Sequence, residues 1–269
     1  KDGKYHLLDP TWVPFVRELW SSAEQQQQYL MGIPEGADLA TTPISPPENH
    51  YLKISGNSTL DRDGTLTGTV TLTAEGQTDA SIRGAFFRNS NKTQWSQNLE
   101  KELMKLSPFA EMLHVEFSDP IDYKSGPIMI KMDYRIPAYA KVSEDRTIFT
   151  PPVAAGLFRS LQPQLGFDTW MKERKYPFRD RCSRIIEISE TVKLPDGMMI
   201  YSKPDDKNKP GEVCSFNGSY TLNGNLLKLS EKASFGKRIY EAKDWPQFRD
   251  AVSAQNSFID QPVILKKTN

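Results

Sequence analysis

Hydrophobic positions along the chain follow two periods, separated by stretches where proline and glycine interrupt both. Between residues 48 and 150, Leu52 and Ile54 alternate with polar neighbours, as do Leu66, Val70 and Leu72. Asp63-Gly64 lies between these runs and predicts a β-hairpin, because that dipeptide tolerates the positive φ of a tight turn. The period then lengthens. Ile82 and Phe86 share a helical face behind a cap at Thr78 or Asp79, and Trp95, Leu99, Leu103 and Leu106 recur at helical spacing behind Thr93. Strands are predicted again over Leu113–Phe117, Ile128–Tyr134 and Thr147–Phe149, up to Pro151-Pro152.

Beyond Arg179 the pattern is a series of short alternating runs: Cys182–Leu194, Met198–Tyr201, Glu212–Leu222, Asn225–Ser234 and Lys237–Ala242. Pro195-Asp196-Gly197, Lys207–Gly211 and Asn223-Gly224 supply the turns between them. Asp244 then caps a helix presenting Trp245, Phe248 and Val252, and Val263–Lys266 reads as a last strand. The predicted fold class is therefore α+β and all-β. Its parts are a terminal strand in residues 1–12 and a connector over 13–47, with a short helix at Ser21–Leu30. An α+β domain with an antiparallel sheet and two helices follows over 48–152. A linker spans 153–178, with a short helix around Ala154–Leu161, and 179–269 forms a small antiparallel β-sandwich with one C-terminal helix.

Composition narrows the partners. The 269 residues carry 34 Lys+Arg against 34 Asp+Glu, a formal net charge of 34 − 34 = 0. Such a balance gives no global field for nucleic acid, so no nucleic-acid partner is expected. No run approaches the length of a transmembrane helix. The chain opens on Lys1 rather than Met, and we read it as a piece of a longer protein.

Candidate chemistry is sparse. The cysteines are Cys182 and Cys214, and the histidines are His6, His50 and His114. No two of the five stand at metal-ligand spacing, so neither a metal site nor a cofactor is expected. Cys182 shares strand parity with Ile186 and Ile188, and Cys214 with Phe216 and Tyr220, so both thiols point to an apolar core. There they fit two buried reduced cysteines or a disulfide between neighbouring strands, and a catalytic thiol least, since an inward strand position opposes the exposed setting a thiolate needs. Asp61/Asp63 and Asp205/Asp206 read as solvated turns rather than a calcium loop. The tryptophans read as packing residues.

Tyr5-His6-Leu7-Leu8-Asp9-Pro10-Thr11-Trp12 resembles the end of a transglutaminase-like core, where a strand closing on Asp-Pro-Thr carries the aspartate of a Cys-His-Asp triad. The resemblance places that acid at Asp9. Gln28-Tyr29-Leu30-Met31-Gly32, Tyr176-Pro177-Phe178 and Trp245-Pro246-Gln247-Phe248 are similar to the C-terminal region of bacterial, largely Bacteroidetes, multidomain proteins in which such a core is flanked by β-rich domains of unknown function. The family's cysteine and histidine precede the aspartate. His6, three residues before Asp9 on one strand, faces the opposite side. Asp9 is then an orphan acid, since it only orients an imidazole that activates the sulfur. The resemblance implies a non-catalytic C-terminal portion of an exported, periplasmic or envelope protein whose parent is a cysteine peptidase or acyl transferase. Its partner would be its own upstream core, with a protein or glycan ligand also open. An independent carbohydrate- or protein-binding module is the alternative, and an enzyme in its own right the third.

Overall fold

A computed structural model describes residues 7–9, 20, 22–88 and 91–268. Twelve strands form the two main sheets: β1 Leu52–Leu60, β2 Leu66–Ala74, β3 Glu111–Phe117, β4 Ile128–Ile136, β5 Lys141–Val142, β6 Arg146–Phe149, β7 Arg184–Lys193, β8 Met198–Ser202, β9 Lys207–Lys209, β10 Cys214–Asn223, β11 Leu226–Phe235 and β12 Val263–Lys267. The helices are α1 Gly76–Arg83, α2 Lys92–Leu103 and α3 Trp245–Ile259. The fold is a mixed α+β, sheet-rich one, with largely antiparallel pairing.

The larger sheet has eight strands in the order β9-β10-β11-β7-β1-β2-β4-β3, and the smaller has four in the order β8-β12-β6-β5. Alternation makes one face of the larger sheet apolar. Leu52, Ile54, Val70, Leu72, Ile130, Met132, Ile186, Ile188, Leu227, Leu229 and Phe216 are all at most 2–3% exposed. The opposite face carries Lys53, Ser55, Thr71, Thr73, Ser189, Ser230 and Lys232. On it Glu187 bridges Lys232 at 3.0 Å and Lys53 at 3.3 Å. Lys232, then Lys53, holds the Glu187 carboxyl below its ordinary pKa against the cost of burial.

One pairing is parallel. β7 lies beside β1 with Ile186 opposite Leu52 and Lys193 opposite Thr59. The larger sheet therefore runs across the position at Pro151-Pro152 where the sequence predicts a boundary, and the predicted sandwich strands divide between the two sheets. β8 pairs with β12, and β12 pairs with β6, which lies before that boundary. α1 and α2 cover the β2, β4 and β3 side of the apolar face, and α3 covers β10, β9 and β11. Phe149, Val263 and Leu265 of the smaller sheet join the same hydrophobic core.

Two local expectations give way to tertiary contacts. The helix predicted over Ser21–Leu30 is a short 3-10 turn at Ser22–Glu24, followed by a two-residue strand, Gln28–Tyr29, paired with Ala40–Thr41. Gln26 sits at φ 58°. Its amide clasps the backbone of a distant edge, with Oε1 accepting from Arg238 N at 3.0 Å and Ile239 N at 2.8 Å. Its Nε2 donates to Ile239 O at 3.0 Å. Unpaired edge groups outbid helix propensity here. The predicted helix near Ala154–Leu161 is a chain of turns with 3-10 segments at Arg159–Leu161 and Pro163–Gly166. Lys207–Lys209 is a strand rather than a turn. α2 is capped by Asn91 in a capping box with Gln94, not by Thr93, and α1 has Glu75, not Thr78 or Asp79, at its N-cap position, without a side-chain capping bond.

Candidate functional site

The residues singled out by sequence chemistry do not converge among the described residues. The proposed terminal strand is described only at Leu7–Asp9, which lie outside regular secondary structure; Tyr5 and His6 fall outside the described residues. Asp9 is half-buried and is not without a partner. Cys182 and Cys214 are free thiols, so the disulfide alternative is not formed. They are 1% and 2% exposed, and burial pushes each thiol up to about 12. Burial is the reverse of the accessible setting that makes a cysteine nucleophilic, and at Cys182 it outweighs the lowering by Arg184 and Arg181. His114 stands on edge strand β3, 58% exposed, within 3.1 Å of Glu116. No cluster of three metal-ligating side chains occurs among the described residues.

Asp63 is a turn residue. It accepts from Thr65 N at 2.9 Å and Thr65 Oγ1 at 3.1 Å, bonds that hold its carboxyl below the ordinary range. Asp206 accepts from Tyr220 N at 3.2 Å. Trp20, Trp95 and Trp245 are buried and Trp170 is 93% exposed, so the described tryptophans form no stacking platform on a sheet face.

Three polar constellations that the sequence reading did not isolate are more organised. His50 is fully buried, its Nδ1 accepting from Gln77 N at 3.1 Å and its Nε2 within 2.8 Å of Ser45 Oγ. It thereby satisfies a first-turn amide of α1.

In the second, Arg83 and Asp79, one turn apart on α1, form a buried fork: Nε to Oδ1 at 2.7 Å and Nη2 to Oδ2 at 3.2 Å. Arg83 also donates to Asp119 O at 3.1 Å and Gly126 O at 3.2 Å, and Asp79 accepts from Ile128 N at 2.6 Å. Burial raises the Asp79 pKa despite its partner. The fork fastens the 119–126 loop and the start of β4 to α1.

The third is a pair of carboxyls on the apolar face. Glu190 of β7 accepts from Val153 N at 3.0 Å and Ala154 N at 3.4 Å. Burial pushes it up to about 8, and Glu231 on the neighbouring strand adds to the rise. Burial pushes Glu231 up to about 7. Beside them Gln255 donates to Gln162 Oε1 at 2.9 Å and accepts from Gln164 at 3.2 Å. A raised pair of carboxyls resembles acid–base equipment. Glu190 and Glu231 are however 2% and 3% exposed. Glu190 acts as a polar fastener for the backbone at Val153 and Ala154 over the sheet, whereas the Glu231 carboxyl oxygens find no hydrogen-bond partner among the described residues.

A cleft of about 500 Å³ opens between α1, the π-helical turn Gly84–Arg88 that continues it, residues 160–163 and the start of β7. Arg88, Arg181 and Arg184 line it, with Cys182 beneath. Arg184 pairs with Asp180, and its side chain is about 4% exposed.

Residues 145–265 match a family model described as a Domain of Unknown Function with solved-structure structure (DUF3858). The match begins just before β6 and ends within β12, taking in β7 to β11 and α3 but not β1 to β5. Among solved structures, a crystal structure described as a "putative protease" from Parabacteroides distasonis ATCC 8503 is similar at 13% identity and a TM-score of 0.38. The similarity covers 46% of this chain and 24% of that one, so the chain spans well under two thirds of that protein's length. The curated proteins contain no match. No helix among the described residues is long and apolar enough to cross a membrane.

Proposed function

We propose that this chain is a supporting and ligand-positioning portion of a longer protein, and not its catalyst. The observation that carries this is the state of its sulfur. Both cysteines are buried, Cys214 on the apolar face of β10 and Cys182 in the loop just before β7, and desolvation holds both thiols neutral at physiological pH. With Asp9 resembling the acid of a transglutaminase-like triad, the parent in this reading is a cysteine peptidase or acyl transferase exported to the cell envelope. Its nucleophile and base lie upstream. The chain's shape suits such support, since one continuous core ties both halves to a single sheet.

Incubation with iodoacetamide under native conditions, followed by assay on a fluorogenic peptide and on casein with an amine acceptor, tests the reading. Neither labelling nor turnover is expected. Fast alkylation of Cys182 or Cys214 together with turnover that the alkylation abolishes overturns it. The tryptophans favour this reading over a carbohydrate-binding module, since three of the four described are buried.

A further inference from the structure

We propose that the cleft between α1 and the start of β7 is a binding site for a short peptide carboxylate, the anionic end held by Arg88 and Arg181 beside Arg184. The inference stands independently of the upstream chemistry proposed above. Three guanidiniums line one cleft and no Asp or Glu lines it. Asp180 offsets only Arg184. The side chains of Arg88 and Arg181 have no ion pair or hydrogen bond among the described residues, which leaves two uncompensated cations facing the same space. Planar guanidinium forks match the two oxygens of a carboxylate.

The wall also holds two unmatched polar atoms. Arg184 is 3% exposed, yet its Nε has no hydrogen-bond partner among the described residues, and neither does the buried Gln77 Oε1. Buried donors and acceptors are seldom left so, because each orphan costs stability. One is a donor and one an acceptor, so the occupant that satisfies the wall offers both an oxyanion and an N–H, as the end of a peptide does. Both atoms are shut off from solvent, so an occupant reaches them only where the two side chains turn toward the cleft. Ala80, Ala85, Leu161 and Pro163 give the peptide body an apolar surface. The helix changes to a π turn where it borders this cleft, a distortion that single-turn π segments often show at functional sites.

Titration of the whole chain with N-acetyl-Ala-Ala, its C-terminal amide and inorganic phosphate, followed by NMR shifts or calorimetry, tests the proposal. The free acid is expected to bind saturably at one site, and the amide and phosphate at least tenfold more weakly. Arg88→Gln and Arg181→Gln, both at exposed positions, should each weaken the acid about tenfold while leaving the melting temperature unchanged. Gln77→Leu should weaken the peptide acid but not phosphate, and Ala85→Trp should abolish binding by filling the cleft. Absence of saturable binding by the acid, equal binding of acid and amide, phosphate binding as tightly as the acid, or indifference to the arginine substitutions each overturns it.

Discussion

Gly56 and Glu190 face one another across the parallel junction of the larger sheet, and a Cβ built at Gly56 would lie 3.1 Å from Glu190 Cγ and 3.2 Å from its Oε1. The absent side chain at Gly56 gives the carboxyl its room, so that it can reach the Val153 amide. Gly56→Ala should therefore destabilise the chain by about 1–3 kcal/mol through overpacking, although the same change relieves backbone entropy elsewhere in strands. Urea unfolding measures it. A stability gain would mean that Glu190 moves aside freely.

Stability should fall as pH rises through neutrality. The folded chain keeps Glu190 protonated up to about 8, whereas the unfolded chain releases that proton near 4.5. The neutral form's contribution is complete below about 4.5 and is lost as pH climbs to about 8, by up to about 1.4 kcal/mol per pH unit. Glu231, pushed to about 7, acts in the same direction. Glu190→Gln should flatten the slope, and thermal melts between pH 5 and pH 8.5 check this. A slope of opposite sign would show that both carboxyls are ionised in the fold.

Removing one member of the α1 fork strands the other. Arg83→Ala leaves the Asp79 carboxyl with the Ile128 amide but without its guanidinium partner, and the 119–126 carbonyls without their donor, at a cost of about 3–5 kcal/mol. The pair substitution Asp79→Leu with Arg83→Met should recover a large part of that loss. Chemical unfolding of the three variants is the measurement. A double variant as unstable as Arg83→Ala would place the fork's value in its loop contacts and not in the pair.

Both thiols should be silent until the chain opens. With each pushed up to about 12, only about one thiol in ten thousand is ionised at pH 8. Reaction with a chromogenic disulfide should follow the urea unfolding curve for both cysteines. A fast phase in native buffer would mark an accessible sulfur.

Much of this arrangement was legible in the alternation of residues. The hairpin at Asp63-Gly64 forms as its turn chemistry dictates, with Leu52 opposite Ala74 and Leu60 opposite Leu66. The parity that turns Cys214 into the core was likewise plain, whereas Cys182 is buried in the loop before β7 and not on a strand face. The same parity places Glu190 among Ile186, Ile188 and Val192, so the buried carboxyl had a signal that hydrophobic counting ignores. Partner choice between strands had none. Alternation says which face of β7 is buried, not that β1 lies beside it, and the parallel pairing rests on contacts far apart in sequence. The Gln26 clasp was hidden because its targets are 212 and 213 residues away. The arginine cleft was hidden for the same reason: Arg88 and Arg181 come from different elements and share no local pattern.

The side-by-side arrangement of Leu52–Leu60 and Arg184–Lys193 also bears on where this polypeptide can be cut. A piece trimmed to residues 145–265 would retain the strands of the family match but bare one long border of hydrogen-bonding groups, with the carboxyl of Glu190 newly hydrated beside it. Such borders recruit other chains. The similarity limits are thus not folding limits, and a trimmed piece should clump where the intact chain stays dispersed.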